Sequence, residues 1–302
     1  MVQAPASSKL KRAALLAATA VVGPRIARRG EALVASERAA LDLRAALPAS
    51  RPRAETVTFL IPLVGPDDVG DWDVVTARLG QTLQSLLDQD DPRWRAVIAC
   101  QHTPPLPDNP RITHLPFDDP TPGNDKWRKL AALCDHLPRL DLPPGYVMSF
   151  DADDLLRQGT VAEMLNRQAK GGYLVQAGFV MDHATGAVAL ADAPGLAAPL
   201  RKPFWKLCGS CAALFHDPAL PESAAFLRAM TAHEHRMFPY LARLAGLRLS
   251  ALHRPSVLYV LNHGENFGAR RGRVGFKTRF VERFRISDPA TLSAIAAEFP
   301  AP

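Results

Sequence analysis

From residue 56 onward the chain alternates short apolar runs with amphipathic stretches, and that alternation restricts it to an α/β architecture. The run 56–64 is β-rich and apolar and stops at Gly65-Pro66, which reads as a buried strand feeding a loop. The stretch 74–87 places leucines at 79, 83, 86 and 87 on one face, as a helix packed on a sheet requires. Short strands are expected over 94–100 and 112–117, on either side of a proline-rich loop at 104–110. A helix over 125–136 and a strand over 146–150 complete the pattern. Strands and helices at this spacing build a mixed, mostly parallel sheet flanked by helices, whose ligand crevice lies at the carboxyl ends of the strands.

Beyond residue 154 the pattern loosens. A helix is expected over 160–169, a strand over 173–180, a loop rich in Pro, Ala and Gly near 191–203, a strand of small residues over 209–215, one helix over 224–244 and a strand over 256–261. Ahead of the sheet, residues 8–47 are rich in Ala, Leu, Arg and Glu with Pro24 interrupting, and read as one or two helices. The expected organisation is therefore a basic helical extension over 1–54, an α/β domain over 55–269 and a basic tail over 270–302.

With 302 residues, 47% of them hydrophobic, the chain can bury a sizeable core. Its net charge of +6 is unevenly spread: residues 1–55 carry ten Lys or Arg against four acids, and residues 270–285 carry seven against Glu282. Each end is thus +6 around an acidic middle. Basic ends suit an anionic lipid surface or a phosphorylated substrate, or are simply solvated faces; nucleic acid is not the expected partner. The apolar run 13–23 covers eleven residues between Lys9, Lys11, Arg12 and Arg25, short of the roughly 20 needed to cross a bilayer. The arginines after Pro24 also make a poor signal-peptide cleavage site, while a basic helix lying on a membrane surface stays open. Four unevenly spaced cysteines fit a reducing compartment better than a disulfide scaffold. The expected location is the cytoplasm, with peripheral attachment at the inner membrane face left open.

The chemistry concentrates after the strand at 146–150, in the string Tyr-Val-Met-Ser-Phe-Asp-Ala-Asp-Asp. Asp151, Asp153 and Asp154 at a strand end repel one another unless a cation or hydrogen-bond donors neutralise them, and hard oxygen ligands suit Mg²⁺ or Mn²⁺. Such an ion would bridge a diphosphate. Aspartate-rich loops also serve as turns and helix caps. The stretch 56–154, and more loosely 55–268, resembles GT-A fold glycosyltransferases, family 2 in particular. Those have a first strand with a short polar loop, a helix, two more strands, a helix bearing Asn, Lys or Arg, and a strand ending in D-x-D-D. The resemblance implies a Rossmann-like α/β domain and metal-dependent transfer of a sugar from a nucleoside diphosphate donor to an acceptor hydroxyl on a saccharide, lipid or protein. It further implies that Asp151 contacts the donor ribose or metal-bound water, that Asp153 ligates the metal, and that Asp154 supports the loop or touches the sugar.

Other segments extend the same resemblance. Gly123-Asn124-Asp125-Lys126-Trp127-Arg128-Lys129 lies where such enzymes face the donor; on a helix Lys126 and Lys129 share a face, so either could reach a phosphate or both could sit on a solvated surface. The second strand ends in Cys100-Gln101-His102, where many relatives carry an acid that helps hold the base. Cys208-Gly209-Ser210-Cys211 resembles a small-residue segment lining the sugar pocket, and C-x-x-C can also mark a redox pair or half a zinc site. His233-Glu234-His235 falls where the family carries an acidic pair, which makes Glu234 the catalytic base and puts His233 in place of the first acid. Glu234 could equally pair with Arg236 or a neighbouring histidine. His263 stands where GT-A enzymes complete the metal site. The expected activity is inverting, metal-dependent glycosyl transfer. The alternatives are a nucleotidyltransferase of similar topology, against which the missing Gly-rich phosphate loop counts, and a non-catalytic scaffold docking membranes or partners through its basic ends.

Overall fold

The computed structural model describes residues 4–264 and 274–300. Three helices open the chain, α1 (Lys9–Val22), α2 (Pro24–Ala27) and α3 (Ala35–Ala46). The α/β core follows with β1 (Thr56–Pro62), α4 (Trp72–Leu87), β2 (Trp94–Cys100), β3 (Ile112–Pro116), α5 (Lys126–His136) and β4 (Gly145–Ser149). Then come β5 (Asp154–Leu156), α6 (Thr160–Arg167), β6 (Gly172–Leu174), β7 (Gly178–Asp182), β8 (Ala187–Ala191) and β9 (Ala212–His216). The chain continues through α7 (Pro221–Met230), α8 (Phe238–Leu244), β10 (Ser250–Ala251), β11 (Val257–Leu261), α9 (Val274–Arg283) and α10 (Pro289–Glu298).

Among the described residues the strands form a seven-stranded sheet in the order β10-β6-β9-β4-β1-β2-β3 and a four-stranded sheet in the order β5-β11-β7-β8. In the larger sheet β4, β1, β2 and β3 run parallel, and β9 is antiparallel to both β4 and β6. The fold is mixed α/β, Rossmann-like, with a mostly parallel central sheet flanked by helices. Every residue of β1 is buried, as expected for a central strand covered on both faces. Helix α5 packs on β1 and β2, α7 packs on α5, and α3 packs in turn on α7 and α8. Ala40, Leu41 and Leu43 of α3 belong to the same hydrophobic core as the sheet.

Helix α4 shows how local sequence sets an element. Asp71 caps it by accepting a hydrogen bond from the Val74 N–H, satisfying one of the donors a helix start leaves open. Val75, Leu79, Leu83 and Leu86 then form the buried face.

Several expectations change. The single helix over 224–244 breaks into α7 and α8, joined through Thr231–Glu234 and a 3-10 turn at His235–Met237. Pro239 is the reason: inside a helix its ring would clash with the carbonyl four residues earlier, so it stands in the first turn of α8 instead. The strand over 173–180 divides between the two sheets. Val175 N–H still donates to the Cys211 carbonyl of the larger sheet, while the Ala177 carbonyl already accepts from Ser256 N–H beside the smaller one. Strand β8 lies in a stretch that carries no strand in the sequence reading. The expected boundary at 269–270 lies outside the described residues. From Val274, the stretch expected as a tail forms α9 and α10, with Phe280, Val281, Ile295 and Phe299 buried.

Candidate active site

Strands β1 and β4 are adjacent and parallel, so their carboxyl ends open at the same edge of the sheet. A cavity of about 980 Å³ lies there. It is lined by six of the seven site residues expected from sequence, Lys126, Lys129, Asp151, Asp153, Glu234 and His263. They arrive from four places: the start of α5, the loop after β4, the α7–α8 connection and the end of β11.

The three aspartates have different surroundings. Asp151 Oδ1 pairs with Lys126 Nζ at 2.7 Å. Burial would lower the Lys126 pKa, but the Asp151 charge and hydrogen bond, with Asp153 and Asp154 further off, outweigh it and keep the ammonium charged. Asp153 Oδ2 lies 2.8 Å from His263 Nε2. Burial would raise the Asp153 carboxyl, yet the hydrogen bond and charge of His263, with Lys126 behind, hold it below its usual value.

Asp154 does not line the cavity. It opens β5 and is fully buried, with Ser210 Oγ donating to Oδ2 at 2.5 Å and Cys208 Sγ donating at 3.0 Å. Burial, followed by the nearby charges of Asp151 and Asp153, pushes its pKa well up and so favours the uncharged form. Its Oδ1 has no hydrogen-bond partner among the described residues, which a neutral carboxyl tolerates better than a carboxylate. Of the two roles expected for Asp154, this placement suits support of the loop rather than contact with a sugar.

Lys129 is fully buried, and its ammonium is committed to the protein. Nζ donates to the Leu63 carbonyl at 2.6 Å and pairs with Asp125 Oδ2 at 2.7 Å. It ties the start of α5 to the end of β1. Asp125 is a cavity residue that the sequence reading passed over, and Gln101 Nε2 donates to the same Oδ2 at 2.7 Å. Gln101, at the end of the second strand, is thus joined to a carboxylate at the start of α5. An aspartate directly preceding a helix was the available signal.

Glu234 lies in the α7–α8 connection and faces the cavity with His235. His233 turns the other way, its Nε2 2.6 Å from Ser36 Oγ on α3, so the two histidines do not converge on one ion. All four cysteines are buried thiols. Burial pushes the Cys208 and Cys211 pKa values up, and the Cys208 thiol is engaged as a donor to Asp154 Oδ2.

The cavity wall also carries Arg236, named from sequence as a possible partner of Glu234, and Arg78, Lys206, Lys277 and Arg279, which were not singled out there. Lys277 comes from α9 and donates to Tyr259 Oη at 2.6 Å.

Among the described residues, no group of three or more His, Cys, Asp or Glu side chains stands ready to hold a metal. Asp153 and His263 offer two donors, one oxygen and one nitrogen. The carboxylate oxygen suits Mg²⁺ or Mn²⁺, ions that readily take further ligands from phosphate oxygens and water, whereas the imidazole nitrogen is a softer donor than Mg²⁺ prefers.

No family model matches the sequence, and no match is found among curated proteins. Among solved structures the chain is similar to one titled a crystal structure of 4-diphosphocytidyl-2C-methyl-D-erythritol synthase, at 12% identity and a TM-score of 0.31, over 74% of this chain and 99% of that one. A likeness of that degree carries no conclusion about chemistry. Among the described residues, no helix is long and apolar enough to cross a membrane.

Proposed function

We propose that the protein is a transferase for a nucleoside diphosphate sugar, acting with a divalent cation and passing the sugar to an acceptor hydroxyl. The observation that carries this reading is the Asp153–His263 pair facing the same cavity as the Lys126–Asp151 pair at the carboxyl ends of β1 and β4. In this reading Asp153 and His263 would hold a divalent ion such as Mn²⁺ or Mg²⁺, whose charge would favour departure of a diphosphate. Lys126, held by Asp151, faces the phosphates, and Lys277 and Arg236 add positive potential around them. Glu234 takes the proton of the acceptor hydroxyl as its oxygen bonds to the anomeric carbon and the bond to the diphosphate breaks.

A second reading, nucleotidyl transfer, draws on the charge of the cavity wall. Seven lysines and arginines line it against five aspartates and glutamates, a balance that also suits a nucleoside triphosphate. One experiment separates the two. A melting-temperature screen of nucleoside diphosphate sugars and nucleoside triphosphates, with and without Mn²⁺, finds the ligand. Product analysis then follows: a released nucleoside diphosphate supports glycosyl transfer, and pyrophosphate supports nucleotidyl transfer. If no nucleotide shifts the melting temperature, both readings fail and the non-catalytic alternative stands.

A further inference from the structure

Helix α1 is oriented the wrong way round for a helix that faces only water. Three of its four polar side chains turn toward the protein: Lys11 Nζ donates to the Ala32 carbonyl at 2.6 Å and lies 3.4 Å from buried Glu37, and Thr19 is buried. Arg12 donates to Met237 Sδ and stacks over the Tyr240 ring, its guanidinium carbon 5.6 Å from the centroid. Glu37, fully buried, also accepts from Ser7 Oγ, Tyr240 Oη and the Val34 N–H. These contacts fix the rotation of α1.

What that rotation leaves outside is apolar. Leu10, Ala13, Ala14, Ala17, Ala18 and Val21 are all exposed, and their spacing of three and four puts them on one face. Leu10 and Val21, at the two ends of this face, are each 85% exposed, and Ile26 of the following α2 is 58% exposed. From Leu10 to Val21 the stripe runs about 17 Å. Soluble helices place such a face against a core, and here the core lies on the other side.

Charge identifies the occupant. The first thirty residues hold six Lys or Arg and no Asp or Glu. Lys9, Arg25 and Arg29 are exposed at the ends of the stripe. Two copies meeting through this face would bring like charges together, whereas an anionic bilayer offers apolar depth and negative headgroups at once.

We propose that α1 and the start of α2 dock the protein on an anionic lipid bilayer, with Leu10, Val21 and Ile26 entering the interface and Lys9, Arg25 and Arg29 on the headgroups. This surface is distinct from the cavity, and the proposal does not depend on which reaction the cavity supports.

The test is vesicle flotation of the full chain, using phosphatidylcholine alone and phosphatidylcholine with about 30 mol% phosphatidylserine. The full chain is expected to float with the anionic vesicles at low salt and to be released as salt rises. The double variant Leu10→Glu, Val21→Glu is expected to lose on the order of 100-fold in partitioning. Arg25→Glu, Arg29→Glu is expected to lose on the order of tenfold or more. Both pairs are exposed, so melting temperature should stay unchanged and any loss of flotation reports the surface. Absence of flotation at low salt, or wild-type flotation by Leu10→Glu, Val21→Glu, overturns the proposal. A dimer in analytical ultracentrifugation that this variant dissolves, without vesicle binding, also overturns it and assigns the face to a second copy.

Discussion

Removing the Lys129 ammonium tests whether that residue is a tie within the fold or a ligand for phosphate. In Lys129→Met the stem keeps its volume, but Asp125 loses its 2.7 Å partner and the Leu63 carbonyl loses a 2.6 Å donor. Asp125 is 7% exposed and Lys129 not at all, so the carboxylate is left buried with Gln101 as a partial partner. Breaking a buried pair from one side costs about 3–5 kcal/mol, a large part of the roughly 5–15 kcal/mol that holds a domain together. A fall in melting temperature of roughly 5–15 °C follows. Adding Asp125→Asn removes the stranded charge, and the amide oxygen can still accept from Gln101, so the double variant should recover most of the loss. The assay is urea unfolding of wild type, both singles and the double, with nucleotide-induced stabilisation measured on each folded variant. A tie predicts strong coupling in unfolding and preserved nucleotide binding in the double variant. Additive unfolding energies, or a stable double variant that no longer responds to nucleotide, would refute it.

Three further outcomes are expected. Asp153→Ala should abolish Mn²⁺-dependent stabilisation by a nucleoside diphosphate with little change in stability in its absence, as measured by melting temperature; metal-dependent binding that persists would exclude Asp153 as a ligand. Glu234→Gln should lower turnover by about 10² to 10⁴ with donor affinity nearly unchanged, and lost donor binding would move Glu234 out of the base role. His216 is 2% exposed and accepts or donates to Ser223 Oγ at 2.9 Å; burial, opposed by Asp217, pushes its pKa down to about 4 from 6.5. Between those values the unfolded chain binds the extra proton, so its contribution is complete above pH 6.5 and about 3 kcal/mol is lost as pH falls toward 4; His216→Gln should flatten this dependence in unfolding experiments, and an unchanged profile would count against it.

The sheet was legible because its signal is periodic and local. The β-rich, largely apolar run of β1, the leucine face of α4 and the strand leading into Asp151 each declare themselves within about ten residues. What failed to show depends on distant partners. Nothing near Lys129 says that its charge meets the Leu63 carbonyl, and nothing near Asp125 says that Gln101 will hold it. The break between α7 and α8 was readable from Pro239, which a helix tolerates only in its first turn. Helix α9 was hidden because seven basic residues in 270–285 look like a solvated tail, while Phe280 and Val281 are buried within it.

Two motifs that look separate in the sequence prove to be one structural unit. Three aspartates within four positions are a problem of self-repulsion, and the fold solves it with a different device for each. Asp151 is matched by Lys126, Asp153 by His263, and burial pushes the Asp154 pKa well up, favouring its uncharged form. The third device requires a wall of small residues, and the Cys208–Cys211 segment provides it. Ser210 Oγ accepts from the Asp151 N–H at 2.8 Å while donating to Asp154 Oδ2, so a single hydroxyl joins the two ends of the acidic loop. At Gly209 an added Cβ would come within 3.5 Å of Asp151 Oδ2, so a longer side chain there would compete for the space in front of that carboxylate. Small side chains at 209 and 210 therefore allow the loop to lie against β9's approach and leave Asp151 and Asp153 facing the cavity. The acidic loop owes its geometry to a segment more than fifty residues away, and a change in either segment should be felt in the other.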